Sequence, residues 1–282
     1  YLVTGGAGFI GSHIVETLLK QDQQVTILDN FSNGSKDNLT YLNDYPDTQH
    51  TLIEGDIRDI DTCYTASKNC DYISHQAALG SVPKSMKEPK LYHENNATGT
   101  LNILLAAKKN KIKSVVLASS SSVYGDTTIL PIEETLSPTP KSPYALSKLN
   151  CEEYAKLFWD AYKLPVICLR YFNVFGPRQD PHSEYAAVIP KFITSFLNQT
   201  APTIFGDGKQ TRDFIYIDDV VQGWELCLLN NNNPNQVFNL GSGTKTYLSN
   251  LIDTLIQAYG KTGKIKVEEV GSTQGDILGC YA

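Results

Sequence analysis

Three glycines are spaced three residues apart near the start of the chain. Gly5, Gly8 and Gly11 follow the short apolar run Leu2–Thr4 and precede the helical pattern Ser12–Lys20. Such a turn lets the backbone approach a diphosphate, whose charge is met by free N–H groups and by the positive end of the helix dipole. A glycine triplet alone would also fit a plain tight turn. Its position between a strand and a helix favours a dinucleotide site.

An acidic residue ends the next predicted strand. A carboxylate at Asp29 would accept hydrogen bonds from the ribose hydroxyls of an adenosine and would repel a 2′-phosphate. We therefore expect NAD rather than NADP. Asp56, after the third predicted strand, could face the adenine amino group, or it could equally form an Asx turn or cap the helix that follows.

Tyr144 and Lys148 are four residues apart in a helical pattern, so their side chains lie on one helix face. A free tyrosine has a pKa of ~10 and is a poor base at neutral pH. A neighbouring ammonium group and the positive charge of an oxidised nicotinamide would lower that pKa. Tyr144 could then remove a hydroxyl proton while hydride leaves the same carbon for the cofactor. By itself the spacing is common and would also fit a surface pair.

Four consecutive serines, Ser119–Ser122, stand at the carboxyl end of a predicted buried strand. Serines are a poor continuation of a core strand, because each buried hydroxyl needs a hydrogen-bond partner. They suit a site that binds sugar hydroxyls and a developing alkoxide. A polar turn is the alternative interpretation.

Short runs rich in Val, Ile and Leu alternate with helical patterns through the first two-thirds of the chain. This alternation predicts a parallel sheet with helices on both faces, which binds ligands beyond the carboxyl ends of its strands. The predicted strands are Leu2–Thr4, Val25–Asp29, Leu52–Asp56, Tyr72–Ala77, Val115–Ser119 and Val166–Tyr171. The predicted helices are Ser12–Lys20, Ile60–Ser67, Asn96–Lys109 and Tyr144–Tyr162.

The alternation breaks after Phe172, where a segment rich in Gly, Pro and polar residues follows. We expect an α/β fold, a Rossmann-type doubly wound parallel sheet with a smaller discontinuous α/β substrate-binding domain. Residues 1–173 and 214–240 are expected to form the NAD-binding domain, and residues 174–213 and 241–282 the smaller one. The chain begins inside a predicted strand and stops abruptly, so both ends are expected to be truncated. The later predicted elements are a helix over 188–197, a strand and turn over 203–208, strands over 214–217 and 237–240, and a helix over 219–229.

Composition argues against several classes of protein. The 24 Lys and Arg residues are outnumbered by 30 Asp and Glu, and no stretch is basic enough to expect a nucleic-acid partner. No apolar run approaches the ~20 residues that cross a bilayer, so no membrane partner is expected. The six cysteines form no C-x-x-C pair, which predicts free thiols in a reducing cytoplasm and no metal site.

Together these segments resemble the extended short-chain dehydrogenase/reductases of the NAD-dependent epimerase/dehydratase family. Within that family the chain is most similar to nucleotide-sugar 4-epimerases, in particular the bacterial branch that acts on UDP-N-acetylhexosamines. The resemblance implies an NAD-dependent enzyme that inverts C4 of a UDP-hexose through a transient 4-keto intermediate, and a homodimer formed through a helix bundle. It rests on Val3–Gly11, Gly55–Asp59, His75–Ala78, Asn96–Leu101, Ala118–Asp126, Tyr144–Lys148, Arg170–Asn173 and Arg212–Asp218.

The resemblance also implies roles for individual residues. The catalytic positions are Ser120, Tyr144 and Lys148. The cofactor-binding positions are Gly5, Gly8, Phe9, Ile10, Gly11, Asp29, Asn30, Asn33, Asp56, Ile57, Gln76, Ala77, Ala78, Asn96, Tyr144, Lys148 and Tyr171. The substrate-binding positions are Ser81, Ser121, Ser122, Asn173, Val188, Arg212, Asp276 and Cys280. Of these, Arg212 is expected to reach the diphosphate, to which an arginine donates charge-assisted hydrogen bonds.

Two positions near the end of the chain bear on the substrate. Thr273 stands where the resemblance expects an arginine, so the resemblance does not establish one of the diphosphate contacts that it implies. Cys280 matches the position that gates the sugar pocket, where a small side chain leaves room for an N-acetyl group and a bulky aromatic would exclude it. The alternative is that Cys280 only fills buried space.

Other functions remain open to different degrees. A dehydratase of this family carries Asp-Glu after the catalytic hydroxyl residue, where this chain has Ser121 and Ser122. A UDP-uronate 4-epimerase, acting on UDP-GlcA or UDP-GlcNAcA, would need a cation for the sugar carboxylate, and none can be placed. A catalytically silent NAD-binding regulator would have no reason to keep the three catalytic positions together. We expect His75 to satisfy a core hydrogen bond rather than to catalyse.

Overall fold

The computed structural model describes residues 1–181, 187–205, 208–229, 235–259, 268–270 and 279–282. Its strands are β1 (Leu2–Thr4), β2 (Val25–Asp29), β3 (His50–Glu54), β4 (Tyr72–His75), β5 (Ser114–Ser120), β6 (Val166–Tyr171), β7 (Asn173–Phe175), β8 (Thr203–Phe205), β9 (Thr211–Arg212), β10 (Phe214–Tyr216), β11 (Val237–Leu240), β12 (Thr246–Tyr247), β13 (Glu268–Val270) and β14 (Gly279–Cys280). Its α-helices are α1 (Phe9–Lys20), α2 (Ile60–Ala66), α3 (Val82–Lys87), α4 (Pro89–Tyr92), α5 (Gly99–Lys109), α6 (Pro143–Tyr162), α7 (Val188–Leu197), α8 (Ile217–Leu229) and α9 (Leu248–Tyr259). Short 3₁₀ segments cover Lys36–Asp44 and Ser121–Tyr124, and a π-helical turn covers His93–Thr98.

A seven-stranded parallel sheet lies at the centre of the molecule, in the order β11-β6-β5-β4-β1-β2-β3. Every neighbouring pair is parallel, and the register places Thr4 beside both Leu28 and His75. The chain leaves β1 toward β2 on one side and returns through β4 on the other, which creates the switch point of a Rossmann-type fold. The predicted fold class is confirmed.

Helices cover both faces of this sheet because its strands are apolar on both sides. Leu2 packs with α2, α5 and α6, whereas Val3 packs with α1 and α8. Successive side chains of a strand point to opposite faces, so the two residues enter different cores. The largest fully buried side chain, Trp224, belongs to α8.

Smaller pieces of sheet lie beside this central layer. β7 pairs in parallel with β10, and β9 lies between β12 and β14. α7 and α9 pack together through Phe192, Phe196 and Ile252. These smaller elements come from segments that precede and follow β10 and β11 in the chain, and the predicted division into two domains stays a prediction.

Element boundaries follow local signals where those signals are strong. α6 begins at Pro143 because Ser142 Oγ accepts a hydrogen bond from the N–H of Ala145, 3.1 Å away. The predicted helix over 96–109 is instead a π-helical turn followed by α5. Helices α3, α4 and α9 were not among the predicted elements. Of these, α9 is amphipathic and its periodicity was a usable signal.

Candidate active site

A cavity of about 430 Å³ lies at the carboxyl ends of the central strands. This is the position where open parallel sheets bind ligands, since the chain diverges there on either side of β1. At least one residue at or just after the end of each strand from β1 to β6 lines the cavity, including Gly5, Asp29, Gly55, Gln76, Ser120 and Tyr171.

The glycine turn forms one wall of this cavity. Gly5 has a φ of +67°, and a Cβ there would lie 2.7 Å from the backbone nitrogen of Ala77. A Cβ on Gly11 would lie 2.1 Å from the carbonyl oxygen of Gly5. No side chain caps the first turn of α1. The backbone thus makes a cradle at a helix N-terminus, and this cradle fits the diphosphate of a dinucleotide.

Asp29 lies in the same wall and is 7% exposed. Its carboxylate accepts hydrogen bonds from the N–H of Ala7 at 2.9 Å and from the N–H of Phe31 at 2.8 Å. Burial raises the pKa of this carboxyl group, and the two N–H donors act in the opposite direction. Because a carboxylate can accept about four hydrogen bonds, Asp29 retains capacity for ribose hydroxyls.

Asp56 lies outside the cavity lining. Its carboxylate accepts hydrogen bonds from the backbone and side chain of Arg58 and from the amide of Asn30. The Arg58 guanidinium lowers the pKa of Asp56 to about 2. The bond from the Arg58 N–H closes an Asx turn, so this alternative interpretation of Asp56 matches the structure.

The three predicted catalytic residues converge at the base of the cavity. Tyr144 shares a hydrogen bond with Ser120, and both side chains line the cavity. Lys148 Nζ donates to the carbonyl oxygen of Ala118 at 2.7 Å. Ser120 Oγ also accepts hydrogen bonds from the N–H and the hydroxyl of Ser122, at 3.2 and 2.9 Å.

The pKa values of this group differ from the expectation. Burial raises the pKa of Tyr144, and the hydrogen bond from Ser120 only partly opposes it. Burial also lowers the pKa of Lys148, whose ammonium group is directed at the Ala118 carbonyl. Lys148 is therefore not a source of the expected lowering of the Tyr144 pKa.

Most of the predicted cofactor positions line this cavity. Asp56 and Asn96 are the two that do not. Asn96 instead lies behind the lining, where its amide bonds to both backbone groups of Leu79 and to Ser147 Oγ. Further residues line the cavity that were not predicted from the sequence, most of them neighbours of predicted ones: Leu28, Ser32, Gly34, Gly55, Gly80, Asn95, Ala118, Ser119, Phe172, Val174 and Gln179.

A second cavity of about 420 Å³ adjoins the first and contains three predicted substrate residues, Asn173, Val188 and Arg212. Val174 and Gln179 line both cavities and so mark their boundary. The arrangement can hold a dinucleotide in one cavity and an anionic ligand near Arg212 in the other.

The remaining predicted substrate residues lie outside both linings or outside the described residues. Ser81 Oγ accepts a hydrogen bond from the N–H of Lys84 and caps α3. Ser121 hydrogen-bonds with Cys280, which lies opposite Arg212 in the pairing of β14 with β9. Ser122 is directed to Ser120. Asp276 lies outside the described residues, as does Thr273.

His75 is a core residue. Its ring nitrogens lie 2.7 Å from Thr4 Oγ1 and 2.9 Å from Thr100 Oγ1. Burial lowers its pKa to about 3, and Lys148 contributes in the same direction. A structural hydrogen-bonding role, as expected, is confirmed.

Three further observations concern metals, thiols and membranes. Within the described ranges, no group of three or more His, Cys, Asp or Glu side chains could hold a metal ion. All six cysteines are free. In the part of the chain that the structure describes, no helix combines the length and the apolar character that crossing a bilayer requires.

Comparisons with known proteins agree with this geometry. The profile of the NAD dependent epimerase/dehydratase family matches residues 1–241. A putative UDP-glucose 4-epimerase of Methanocaldococcus jannaschii is 41% identical over 282 residues, covering 99% of this chain and 88% of that protein. The solved UDP-N-acetylglucosamine 4-epimerase from Methanobrevibacter ruminantium M1, in complex with UDP-N-acetylmuramic acid, has a TM-score of 0.93 and 42% identity, covering 100% of this chain and 88% of that chain. A UDP-glucuronate 4-epimerase of Thermodesulfobacterium geofontis is 34% identical over 290 residues, covering 100% of this chain and 87% of that protein.

Proposed function

The chain belongs to the NAD dependent epimerase/dehydratase family, with NAD as its cofactor, and we propose that it inverts C4 of a UDP-hexose. The substrate pair is UDP-GlcNAc and UDP-GalNAc, with UDP-glucose and UDP-galactose also accepted. One observation carries the proposal: the hydrogen-bonded Ser120 and Tyr144, with Lys148 beside them, line the cofactor cavity next to a second cavity that contains Arg212.

In this proposal each catalytic side chain has one task. Bound NAD supplies a reversible hydride acceptor, so no external oxidant is consumed. Tyr144 takes the proton from the sugar O4 as the 4-keto sugar forms and returns it afterwards. Ser120 hydrogen-bonds to the same oxygen and limits the charge that develops on it. Lys148 holds the nicotinamide ribose.

The two cavities divide the substrate contacts in a way that suits epimerisation. Arg212 binds the diphosphate, because its planar guanidinium can donate two parallel hydrogen bonds to phosphate oxygens. Asn173 and Val188 line the same cavity. A site that holds the UDP group firmly leaves the 4-keto sugar free to turn, so that its other face receives the hydride.

The N-acetylated sugars are favoured by the side chain at position 280. Cys280 is half-buried, packs near Val123 and hydrogen-bonds with Ser121. Cys280 lies outside both cavity linings, so in this proposal the preference rests on the small size of the thiol beside Ser121 and opposite Arg212.

A uronic acid substrate is the second candidate, because a UDP-glucuronate 4-epimerase is 34% identical to this chain. A sugar carboxylate would need a cation of its own. Among the described residues that line the two cavities, the cationic side chains are Lys148 and Arg212. Both have other tasks in the proposed reaction, so a neutral hexose is preferred.

Proton NMR of the protein with UDP-GlcNAc, and separately with UDP-glucose, tests the proposal without added NAD. The anomeric signal of the 4-epimer is expected from both substrates, because the cofactor stays bound. Conversion of UDP-glucose alone would contradict the preference for N-acetylated sugars. No conversion of either substrate, by protein that releases NAD on denaturation, would favour the uronic acid.

The assembly and the division into domains are part of the same proposal. We assign NAD to residues 1–173 and 214–240 and the UDP-sugar to the remainder. The free thiols suit a reducing compartment, the cytoplasm. Leu146 and Leu157 are 50% and 58% exposed, and both lie on one face of α6. This face is assigned to a homodimer, and sedimentation as a species with the mass of one chain would contradict it.

A further inference from the structure

A buried ion pair lies next to the elements that carry the proposed catalytic residues. The side chains of Glu152 and Arg170 are each 5% exposed, and Arg170 Nη2 lies 2.7 Å from Glu152 Oε2. Arg170 Nε donates to Glu152 Oε1 at 2.9 Å, so the pair is bidentate. Burying two charges is costly and often adds no net stability. The position of this pair therefore calls for an explanation other than stability.

Glu152 shares a helix face with the proposed catalytic residues of α6. Tyr144, Lys148 and Glu152 are spaced four residues apart, so their side chains lie along one face in successive turns. The Glu152 carboxylate accepts a hydrogen bond from the hydroxyl of Ser119. Ser119 immediately precedes Ser120 on β5, so the helix that carries Tyr144 is joined to the strand that carries Ser120.

Arg170 extends the same connection to the segment after Ser120. Its Nη1 donates to the Tyr124 hydroxyl at 2.7 Å, and its guanidinium group lies 4.6 Å over the Tyr124 ring. Tyr124 ends the 3₁₀ turn Ser121–Tyr124. The Tyr124 hydroxyl donates in turn to Asn239 Oδ1 on β11 at 2.7 Å. One charged pair therefore holds the chain on both sides of Ser120.

We propose that Glu152 and Arg170 are positioning residues that clamp the segment 119–124 to helix α6 and so keep Ser120 hydrogen-bonded to Tyr144. The inference rests on the proposed function and adds two residues to it. Neither side chain lines either cavity, so neither is expected to touch substrate or cofactor. A displacement of about 1 Å at a reacting group can lower a rate by about 100-fold. The effect is therefore expected in kcat rather than in KM.

The first test makes the same substitution at a buried and at an exposed glutamate. Glu152→Gln leaves Arg170 without its charge partner and is expected to lower kcat by about 10- to 100-fold. KM for UDP-GlcNAc or UDP-glucose and the amount of bound NAD should stay within about twofold of the wild-type values. Glu153→Gln, on the exposed side of the same helix, should match the wild type. An unchanged kcat in folded Glu152→Gln, or a loss carried by KM alone, would overturn the inference.

The second test leaves the ion pair in place, so it remains informative if Glu152→Gln does not fold. Ser119→Ala cuts the hydrogen bond between Glu152 and β5, and kcat should fall by about 10-fold with KM and bound NAD unchanged. Ser114→Ala, at the other end of β5, removes a buried hydroxyl that has no hydrogen-bond partner and should match the wild type. A wild-type kcat in Ser119→Ala would contradict the clamp. Loss of bound NAD would also contradict it, since Ser119 would then act through the cofactor.

The two proposals fail in different ways. If the wild-type protein and both control variants turn over neither substrate, the proposed function falls and this inference with it. If those three proteins are active and the Glu152→Gln and Ser119→Ala variants match them, only the positioning role is overturned.

Discussion

The hydroxyl of Tyr144 is the group on which the proposed reaction depends most. Tyr144→Phe removes it and keeps the ring that packs edge-on against Tyr92, 6.4 Å away. We expect kcat to fall by about 10²- to 10⁴-fold, the usual contribution of a general acid or base. Thermal stability and bound NAD should be unchanged. Tyr162→Phe, at the 49% exposed end of the same helix, is the matched control and should retain full activity.

The pH dependence of turnover follows from the same side chain. Burial raises the pKa of Tyr144, so the neutral phenol predominates at neutral pH and the phenolate fraction grows as the pH rises. We expect kcat to increase with pH by up to about tenfold per unit until the phenolate predominates. A pH profile of the wild type against Tyr144→Phe checks this. A profile that is flat from neutral to alkaline pH in the wild type would show that another group is the base.

The side chain at position 280 is expected to select the sugar. Cys280→Tyr should suppress turnover of UDP-GlcNAc by at least about tenfold and leave turnover of UDP-glucose within about threefold, because the larger ring occupies the space assigned to the N-acetyl group. Cys280→Ala, which keeps the position small, should turn over both substrates. Equal effects of the tyrosine substitution on the two substrates would mean that Cys280 only fills space.

At the scale of secondary-structure elements, Asp213 joins several segments around Arg212. Asp213 is fully buried and directly follows β9. Its carboxylate accepts hydrogen bonds from the N–H and hydroxyl of Ser242, both at 2.7 Å, and from the N–H groups of Gly243 and Ala282 at 3.0 and 3.2 Å. The residue therefore holds the end of β9 against two distant parts of the chain.

Asp213→Asn should weaken substrate binding more than cofactor binding. An amide presents an N–H group to donors that need an acceptor, which costs about 1–3 kcal/mol and loosens the strand that carries Arg212. We expect the Kd of UDP, measured by calorimetry, to rise while bound NAD is retained. Asp219→Asn, an exposed change on α8, is the control. An unchanged Kd in folded Asp213→Asn would show that Arg212 is positioned without it.

At the scale of the whole molecule, His75 links global stability to pH. Its pKa is about 3 in the folded protein, below the value of 6.5 for a free histidine. The unfolded chain therefore binds the extra proton first, and stability falls as the pH drops from about 6.5 toward 3. This one residue should contribute a loss of about 2 kcal/mol between pH 7 and pH 5.

Urea unfolding of the wild type and of His75→Gln at pH 7 and pH 5 measures this contribution. The substitution lowers stability at both pH values, but the loss between them should be smaller by about 2 kcal/mol than in the wild type. His93→Gln, at an exposed position, should keep the wild-type difference. The same difference in all three proteins would mean that His75 is not the buried neutral group described above.

Features that depend on local pattern were predictable from the amino-acid sequence. Short apolar runs alternate with helical patterns, and this alternation predicted the parallel sheet. A strand buried on both faces is apolar throughout, whereas a helix that covers the sheet is apolar on one face. The glycine turn was predictable from the sequence because Gly5 and Gly11 occupy positions where a Cβ would clash with the backbone. The proximity of Tyr144 and Lys148 was predictable because a spacing of four residues places two side chains on one helix face. These features predicted the fold and a dinucleotide cofactor, and the resemblance to a known family added the role of Ser120.

Features that depend on desolvation and on contacts between distant segments became visible only in the tertiary structure. It directed Asp56 to Arg58 instead of the cavity, and Lys148 to the carbonyl of Ala118. It also raised the pKa of Tyr144, contrary to the expectation from its neighbour in the helix. The Glu152–Arg170 pair joins residues from a helix and a strand that no local spacing relates. Burial and the direction of a side chain depend on everything packed around it, and that information is spread over the whole chain rather than held in one motif.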